Sequence, residues 1–124
     1  MTNGLQEFYC SHNQITKIKK LPDHLLKFVC NHNQITKINN LPYSLQELNC
    51  SHNQIIKINN LPNNLQKLYC NNNQIIKIEN LPNSLINFLF YNNPINKIKN
   101  LPMSKQKSFS LKNIMIDYVL TKKI

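Results

Sequence analysis

The sequence predicts a solenoid in which successive coils each contribute one strand to a parallel β-sheet. The prediction depends on an internal repeat of twenty-residue units, which runs through five copies without an insertion. Apolar residues recur at fixed offsets inside each unit, and a Leu-Pro pair lies near its end. A single unit is too small to bury its own apolar residues, whereas stacked units bury them as continuous columns. The units occupy residues 5–24, 25–44, 45–64, 65–84 and 85–104.

The third unit, LQELNCSHNQIIKINNLPNN, shows how each coil is divided. Leu48 and Cys50 are two residues apart, which is the period of a strand that buries one face. The chain must then return from Ile55 to the start of the next strand. Pro62 fixes its own φ and biases Leu61 toward extended geometry, so a helix is disfavoured in this part of the coil. We therefore expect extended or polyproline-like return segments on the side opposite the sheet.

The consensus of the units, LxxLxCxxNxIxxIxxLPxx, resembles the leucine-rich-repeat family, whose signature is L-x-x-L-x-L-x-x-N-x-L. The short unit and the Leu-Pro return resemble the shortest subclass of that family. This subclass occurs in bacterial effectors and in proteins of giant viruses and amoebae. The resemblance covers residues 5–104 and implies a curved solenoid used for protein–protein interaction. It does not imply the ubiquitin-ligase activity that some effectors carry in a separate domain.

Both ends of the chain depart from the repeat. We interpret residues 1–124 as a single solenoid domain in which residues 105–124 form a C-terminal cap. Apolar residues recur in this cap with helical spacing, which predicts a helix, and one more irregular strand is the alternative. The apolar face of the helix would consist of Leu111, Ile114, Met115, Tyr118 and Val119. At the other end we expect an uncapped edge strand, which favours self-association with another copy of the chain.

The composition is strongly basic, with a formal net charge of +10 from 15 basic and 5 acidic residues. All the basic residues are lysines, and because base readout favours arginine, a nucleic-acid partner is not preferred. A chain rich in Lys, Asn and Ile can also reflect an A+T-rich genome. No apolar run is long enough to span a membrane, and the N-terminus lacks the features of a signal peptide. We therefore expect a cytoplasmic protein, in its own cell or in the cytoplasm of a host.

Two columns of the repeat are interpreted as scaffold. One asparagine per unit can both donate to and accept from backbone groups in the turn after the strand. This asparagine column is Asn13, Asn33, Asn53, Asn73 and Asn93. A second column holds inward-facing cysteines, which we expect to be buried and reduced because a thiol packs as a small hydrophobe. Disulfides or a metal site are the alternatives. This cysteine column is Cys10, Cys30, Cys50 and Cys70, with Phe90 in the fifth unit.

Histidines and further asparagines occupy turn positions. Since the chain has a single glycine, Gly4, asparagine is expected to supply the residues with left-handed backbone geometry. The histidine column is His12, His32 and His52, continued by Asn72 and Asn92. Three imidazoles on neighbouring coils could bind zinc, but asparagine is a poor zinc ligand. We therefore prefer a polar column at the rim of the sheet and expect no metal.

One lysine per coil recurs on the return side. The lysine column is Lys17, Lys37, Lys57, Lys77 and Lys97. It is either a footprint for an anionic partner or a solvated position whose methylenes cover the core below. Apart from this column we expect mainly asparagine on the return side, and apolar binding residues on the sheet side only.

The outward positions of the predicted strands form the candidate binding face. Glu7, Lys27, Glu47 and Lys67 alternate in sign on neighbouring strands, so they should pair across the sheet and leave little net charge. The next outward columns are Tyr9, Val29, Asn49, Tyr69 and Leu89, and Ser11, Asn31, Ser51, Asn71 and Tyr91. Tyrosine is enriched in interface hot spots. The predicted partner-binding residues are Tyr9, Val29, Tyr69, Ile86, Leu89 and Tyr91. The alternative is that the C-terminal segment covers Ile86, Leu89 and Tyr91.

The pattern as a whole favours a protein-interaction module that binds another protein, of unknown identity, through the exposed face of the sheet. The alternative is a binder of nucleic acid, acidic protein or membrane headgroups that uses the lysine column. We expect neither catalysis nor a cofactor. The sequence contains no glycine-rich phosphate loop, and no nucleophile, base and orienting group can be identified as converging on one pocket.

Overall fold

The structure is a computed structural model that describes residues 4–99, and all its regular elements are short parallel strands. In chain order the strands are β1 (Glu7–Tyr9), β2 (Lys27–Val29), β3 (Glu47–Asn49), β4 (Lys57–Ile58), β5 (Lys67–Tyr69), β6 (Lys77–Glu79), β7 (Asn87–Leu89) and β8 (Lys97–Lys99). The main sheet has the order β1-β2-β3-β5-β7, with one strand from each coil. Each residue pairs with its equivalent in the next coil, as Phe8 does with Phe28 and Leu48 with Leu68. The predicted solenoid with a parallel sheet is confirmed.

The return segments of the last three described coils form a second parallel sheet, in the order β4-β6-β8. In addition, the Ile76 N–H donates to the Ile56 carbonyl and the Asn96 N–H donates to the Ile76 carbonyl, each at 2.9 Å. The sequence predicts extended geometry here but not this pairing. Extended backbone pairs only when neighbouring segments approach to about 4.8 Å, and that spacing depends on how the coils stack.

The core lies between the two sides of the solenoid and is built from columns of equivalent residues. The largest fully buried side chains are Phe88, Phe90, Leu25, Ile35, Leu45, Leu48, Ile55, Ile58, Leu65, Leu68 and Ile75. In the first coil, Leu5, Phe8, Cys10 and Ile15 pack against this core but are only partly buried. Complete burial of one Leu or Ile side chain is worth about 1.5–3 kcal/mol, so the interior coils contribute more to stability than the first coil.

Each described coil has a residue with left-handed backbone after its strand, the second, third and fourth coils have another before the Leu-Pro pair, and none of these residues is glycine. After the strand, the residues with positive φ are His12, His32, His52, Asn72 and Asn92. Before the Leu-Pro pair they are Asn40, Asn60 and Asn80. The expectation that asparagine replaces glycine at such positions is confirmed. Histidine in the same conformation was not predicted, although Asn, Asp and His are the residues that tolerate it best after glycine.

The predicted C-terminal cap, with the helix proposed within residues 105–124, lies outside the described residues. Within residues 4–99, no helix is long and apolar enough to cross a membrane.

Candidate functional site

The asparagine column links each coil to the one before it through buried hydrogen bonds. Asn53 Oδ1 accepts the Ile35 N–H at 2.9 Å. Asn53 Nδ2 donates to the carbonyls of Cys30 and Cys50, both at 3.1 Å. Equivalent bonds surround Asn33, Asn73 and Asn93, which are also buried. Asn13 is exposed and donates only within its own coil, to the carbonyls of Cys10 and Ser11. One amide thus satisfies a donor and two acceptors of the backbone, which makes the column a scaffold feature.

The cysteine column faces the interior and contains no disulfide among the described residues. Cys30, Cys50 and Cys70 are buried, whereas Cys10 is partly buried, and all four are free thiols. Burial raises the pKa of all four thiols, because the thiolate loses hydration in the core. In the fifth coil, Phe90 replaces cysteine, and its ring lies 4.5 Å from that of Phe88, centroid to centroid.

We expect the four thiols to react at two rates with an aromatic disulfide reagent. Cys10 should be labelled first. Labelling of Cys30, Cys50 and Cys70 should be on the order of 100-fold slower, because the coil must open before a thiolate can form. The absorbance of the released reagent at neutral pH measures the labelling rates. The same assay in denaturant measures the total of four thiols. Fast labelling of all four thiols in the native protein would contradict the buried column.

The histidine column is an exposed stack at the turn after the strands. The ring centroids of His12 and His32 are 4.3 Å apart, and those of His32 and His52 are 4.2 Å apart. The pKa of His32 is lowered by partial desolvation and then by the neighbouring His52 and His12 rings. No group of three or more His, Cys, Asp or Glu residues that could hold a metal ion occurs in residues 4–99. The positive φ at these positions explains why the column is restricted to His in the first three coils and Asn in the last two.

The charges on the outer face of the main sheet alternate as the sequence predicts. Glu7 pairs in register with Lys27, Lys27 with Glu47, and Glu47 with Lys67. The Lys27 Nζ lies 3.5 Å from a Glu47 carboxylate oxygen, and the Lys67 Nζ lies 3.9 Å from the other oxygen. The fifth strand has Asn87 in this column. Two lysines and two glutamates therefore leave this face close to neutral.

Four of the six predicted partner-binding residues share the next column of the same face. Its residues are in register from strand to strand, in the order Tyr9, Val29, Asn49, Tyr69 and Leu89. Tyr9 is 55% exposed, and the other four are partly buried. The Tyr9 hydroxyl donates to a Glu7 carboxylate oxygen at 3.0 Å, and the Lys27 Nζ lies 5.3 Å from the centroid of the Tyr9 ring. Asn49 separates the two halves of the column, so Tyr69 and Leu89 form one adjacent pair.

The other two predicted residues flank strand β7. Ile86 immediately precedes this strand, and its N–H donates to the Gln66 carbonyl at 2.7 Å. Tyr91 lies two residues after the strand. Both side chains are exposed, to 59% and 45% respectively. With Tyr69 and Leu89 they place most of the apolar surface of this face on the last two described coils.

The outward column that contains Tyr91 is only partly outward. Ser51 and Asn71 are buried, which corrects the expectation that all five positions of the column face solvent. Ser51 Oγ donates to Asn49 Oδ1 at 2.8 Å, and Asn71 Nδ2 donates to Asn72 Oδ1 at 2.9 Å. Each of these short polar side chains bonds to a polar side chain one or two residues away in sequence, whereas the Tyr91 side chain is exposed.

The return side exposes apolar residues that the sequence analysis did not select. Ile56 and Ile76 are 50% and 41% exposed beside the lysine column. The return side therefore exposes apolar surface where mainly lysine and asparagine were expected, and the choice of the sheet side for the binding residues stays a prediction. The signal was present in the sequence, because this position is threonine in the first two units, at Thr16 and Thr36. In the third and fourth units two isoleucines are adjacent, as Ile55 and Ile56 are. The repeat period alone does not say which of the two is buried.

Comparison with known proteins agrees with this architecture. The family model for leucine-rich repeats, in two copies, matches residues 43–83. Among solved structures, YopM from Yersinia enterocolitica WA-314 is similar, with a TM-score of 0.78 and 27% sequence identity. The match covers 84% of this chain and 23% of the YopM chain, so the present chain spans less than a quarter of that protein. No curated protein matches the sequence. The constant repeat period, the parallel sheet and these similarities show that the described residues form a leucine-rich-repeat solenoid.

Proposed function

We propose that the chain is a non-catalytic protein-interaction module that binds a partner protein through the outer face of the five-stranded sheet. The observation that carries this proposal is the combination of apolar side chains and balanced charge on one rigid surface. Tyr69 and Leu89 are adjacent on that surface, and exposed Ile86 and Tyr91 flank them. Interfaces of this kind have aromatic and aliphatic residues at the centre and a polar rim.

The rim is formed by the alternating column of Glu7, Lys27, Glu47 and Lys67. Glu47 forms ion pairs with Lys27 and Lys67, and Glu7 accepts a hydrogen bond from Tyr9, so a partner has little charge to neutralise when the face is covered. The backbone of every strand is held by hydrogen bonds to neighbouring coils. Binding therefore orders few side chains, and less binding free energy is lost to conformational entropy.

The described residues favour binding over catalysis. Their best nucleophiles are the cysteine thiols, and burial raises the pKa of these groups away from the range in which a reactive thiolate forms. Three of the four imidazoles, those of His12, His32 and His52, stack on one another at the turns. Free thiols in the core also suit a reducing compartment, such as a cytoplasm, and we propose that the module acts there.

The proposal is tested with the double variant Tyr69→Ala and Leu89→Ala. Wild-type chain immobilised on beads should capture a specific set of proteins from a lysate of the native host, and nuclease treatment should not change the set. The double variant should lose about 90% or more of the captured protein, because truncation of central interface residues typically costs about 2 kcal/mol or more each. Quantitative mass spectrometry of the bound fraction measures the loss.

Two controls make the result specific. Tyr43→Ala removes a tyrosine that is 89% exposed but lies outside the sheet face, and capture should be unchanged. Reversal of Lys37, Lys57 and Lys77 to glutamate should also leave capture nearly intact. If the lysine reversals abolish capture while the folded Tyr69 and Leu89 variant retains it, the binding surface is on the return side and the proposal is wrong.

A further inference from the structure

Charge is divided unequally between the two sides of the solenoid. Among residues 4–99, the outer face of the main sheet carries two lysines and two glutamates. The return segments carry eight lysines and two acidic residues, Asp23 and Glu79. These eight are Lys17, Lys19, Lys20, Lys37, Lys57, Lys77, Lys97 and Lys99. The formal positive charge of the described chain is thus concentrated on its return side.

The second sheet arranges part of this charge in rows. Lys57, Lys77 and Lys97 are in register on β4, β6 and β8. Glu79 is the acidic residue of this sheet, and a carboxylate oxygen of Glu79 lies 2.6 Å from the Lys77 Nζ. The pKa of its carboxyl is lowered, first by the hydrogen bond from Lys77 and further by the positive charges of Lys77, Lys57 and Lys99. One carboxylate offsets only part of the charge around it, which leaves a strongly basic surface.

The same side presents two exposed isoleucines next to these lysines. Ile56 and Ile76 occupy equivalent positions on neighbouring coils and are joined by a backbone hydrogen bond of 2.9 Å. They project away from the core, whereas Ile55 and Ile58 are fully buried. A groove of about 480 Å³ brings Ile56 together with Lys37 and Lys57. Apolar side chains therefore lie inside the basic surface and not at a distance from it.

The chemistry of the surface selects among anionic partners. The chain has lysine and no arginine, so it supplies point charges and no planar fork for bases or phosphates. The positions next to the lysine column hold Thr16, Thr36, Ile56, Ile76 and Asn96, and none of these offers an aromatic ring on which a base could stack. Lys19, Lys20 and Lys99 lie outside the lysine column, so the positive charge covers a wider surface than the single row that an extended acidic peptide would contact. Exposed isoleucines gain no favourable contact with a phosphate backbone, whereas a lipid interface buries them.

We propose that the return side docks on the surface of an anionic lipid bilayer, with the lysines among the headgroups and Ile56 and Ile76 in the interface between headgroups and acyl chains. The main sheet lies on the opposite side of the solenoid. It therefore faces away from the bilayer, and its outer face stays open to a protein partner.

The test uses the full chain and vesicles of phosphatidylcholine, either pure or with roughly one third of the lipid replaced by anionic phosphatidylserine. Wild-type protein should sediment with the anionic vesicles and not with the neutral ones, and binding should weaken as salt is raised. The double variant Lys37→Gln and Lys57→Gln should bind about 25-fold more weakly, since each lysine near an anionic surface contributes about 5-fold. The double variant Lys27→Gln and Lys67→Gln removes the same charge from the main sheet, and its affinity should change by less than about 3-fold.

A third variant tests the apolar contribution. Ile56→Thr with Ile76→Thr introduces the residue that the first two coils already have at this position, so the fold should tolerate it. Binding to anionic vesicles should fall by about 10-fold, while retention on heparin stays the same. Thermal unfolding of each variant checks that the coils remain folded.

Three outcomes would overturn the proposal. The first is a wild-type protein that does not bind the anionic vesicles at low salt. The second is an equal loss of binding in the two lysine variants, which would mean that net charge and not this surface determines binding. The third is tight binding to single-stranded DNA or heparin together with vesicle binding that does not depend on the isoleucines, which would indicate a general polyanion site.

Discussion

Replacement of Asn53 by alanine is expected to lower the free energy of unfolding by about 3 kcal/mol or more. The substitution leaves the Ile35 N–H and the Cys30 and Cys50 carbonyls without their buried partner. Each buried backbone group that loses its hydrogen bond costs about 1–3 kcal/mol, and water cannot replace the amide without opening the turn. Urea denaturation followed by circular dichroism measures the difference.

Two asparagine variants serve as controls for this prediction. Asn64→Ala removes an exposed side chain whose amide donates to the Tyr43 carbonyl at 3.3 Å, and it should change stability by less than about 0.5 kcal/mol. Asn13→Ala should have an intermediate effect, because Asn13 is exposed and its side chain donates to the Cys10 and Ser11 carbonyls of its own coil. Equal losses for Asn53→Ala and Asn64→Ala would refute the role assigned to the asparagine column.

Ile78→Ala is expected to destabilise the protein by about 2–5 kcal/mol, the range for truncation of a fully buried aliphatic side chain. Ile78 is 0% exposed and pairs in register with Ile58 on one side and Ile98 on the other. Each coil of a solenoid contacts only its neighbours, so a cavity in the middle weakens both adjacent interfaces. Thermal and urea unfolding should both report the loss.

The matched control is Ile76→Ala in the same coil. It removes the same atoms two residues away, from a side chain that is 41% exposed, and should cost less than about 1 kcal/mol. Similar losses for the two variants would mean that Ile76 packs into the core and is not available to a bilayer. The comparison therefore also tests whether the Ile76 side chain points away from the core, as the membrane proposal requires.

The sequence by itself determined the architecture of the described coils, because a repeat of constant length brings each residue next to its own copy. An insertion-free repeat allows one register, and that register is observed at Phe8 with Phe28 and at Leu48 with Leu68. The inward direction of the cysteine column follows from its spacing relative to Leu48. The alternating charges of Glu7, Lys27, Glu47 and Lys67 can likewise be paired from the sequence. Each coil of a solenoid contacts only its neighbours, so the sequence of one repeat unit predicts the contacts between adjacent coils.

Only the tertiary structure decided how far apart the return segments lie and which side chains they expose. The pairing of β4, β6 and β8 depends on the spacing between coils, and the repeat pattern contains no measure of that spacing. Between buried Ile55 and Ile58, the consecutive side chains of Ile56 and Lys57 are both exposed, which strict alternation does not allow. The burial of Ser51 depends in the same way on the turn that follows its strand. Residue type fixes what a side chain prefers, but the direction in which it points is set by the backbone that neighbouring coils hold in place.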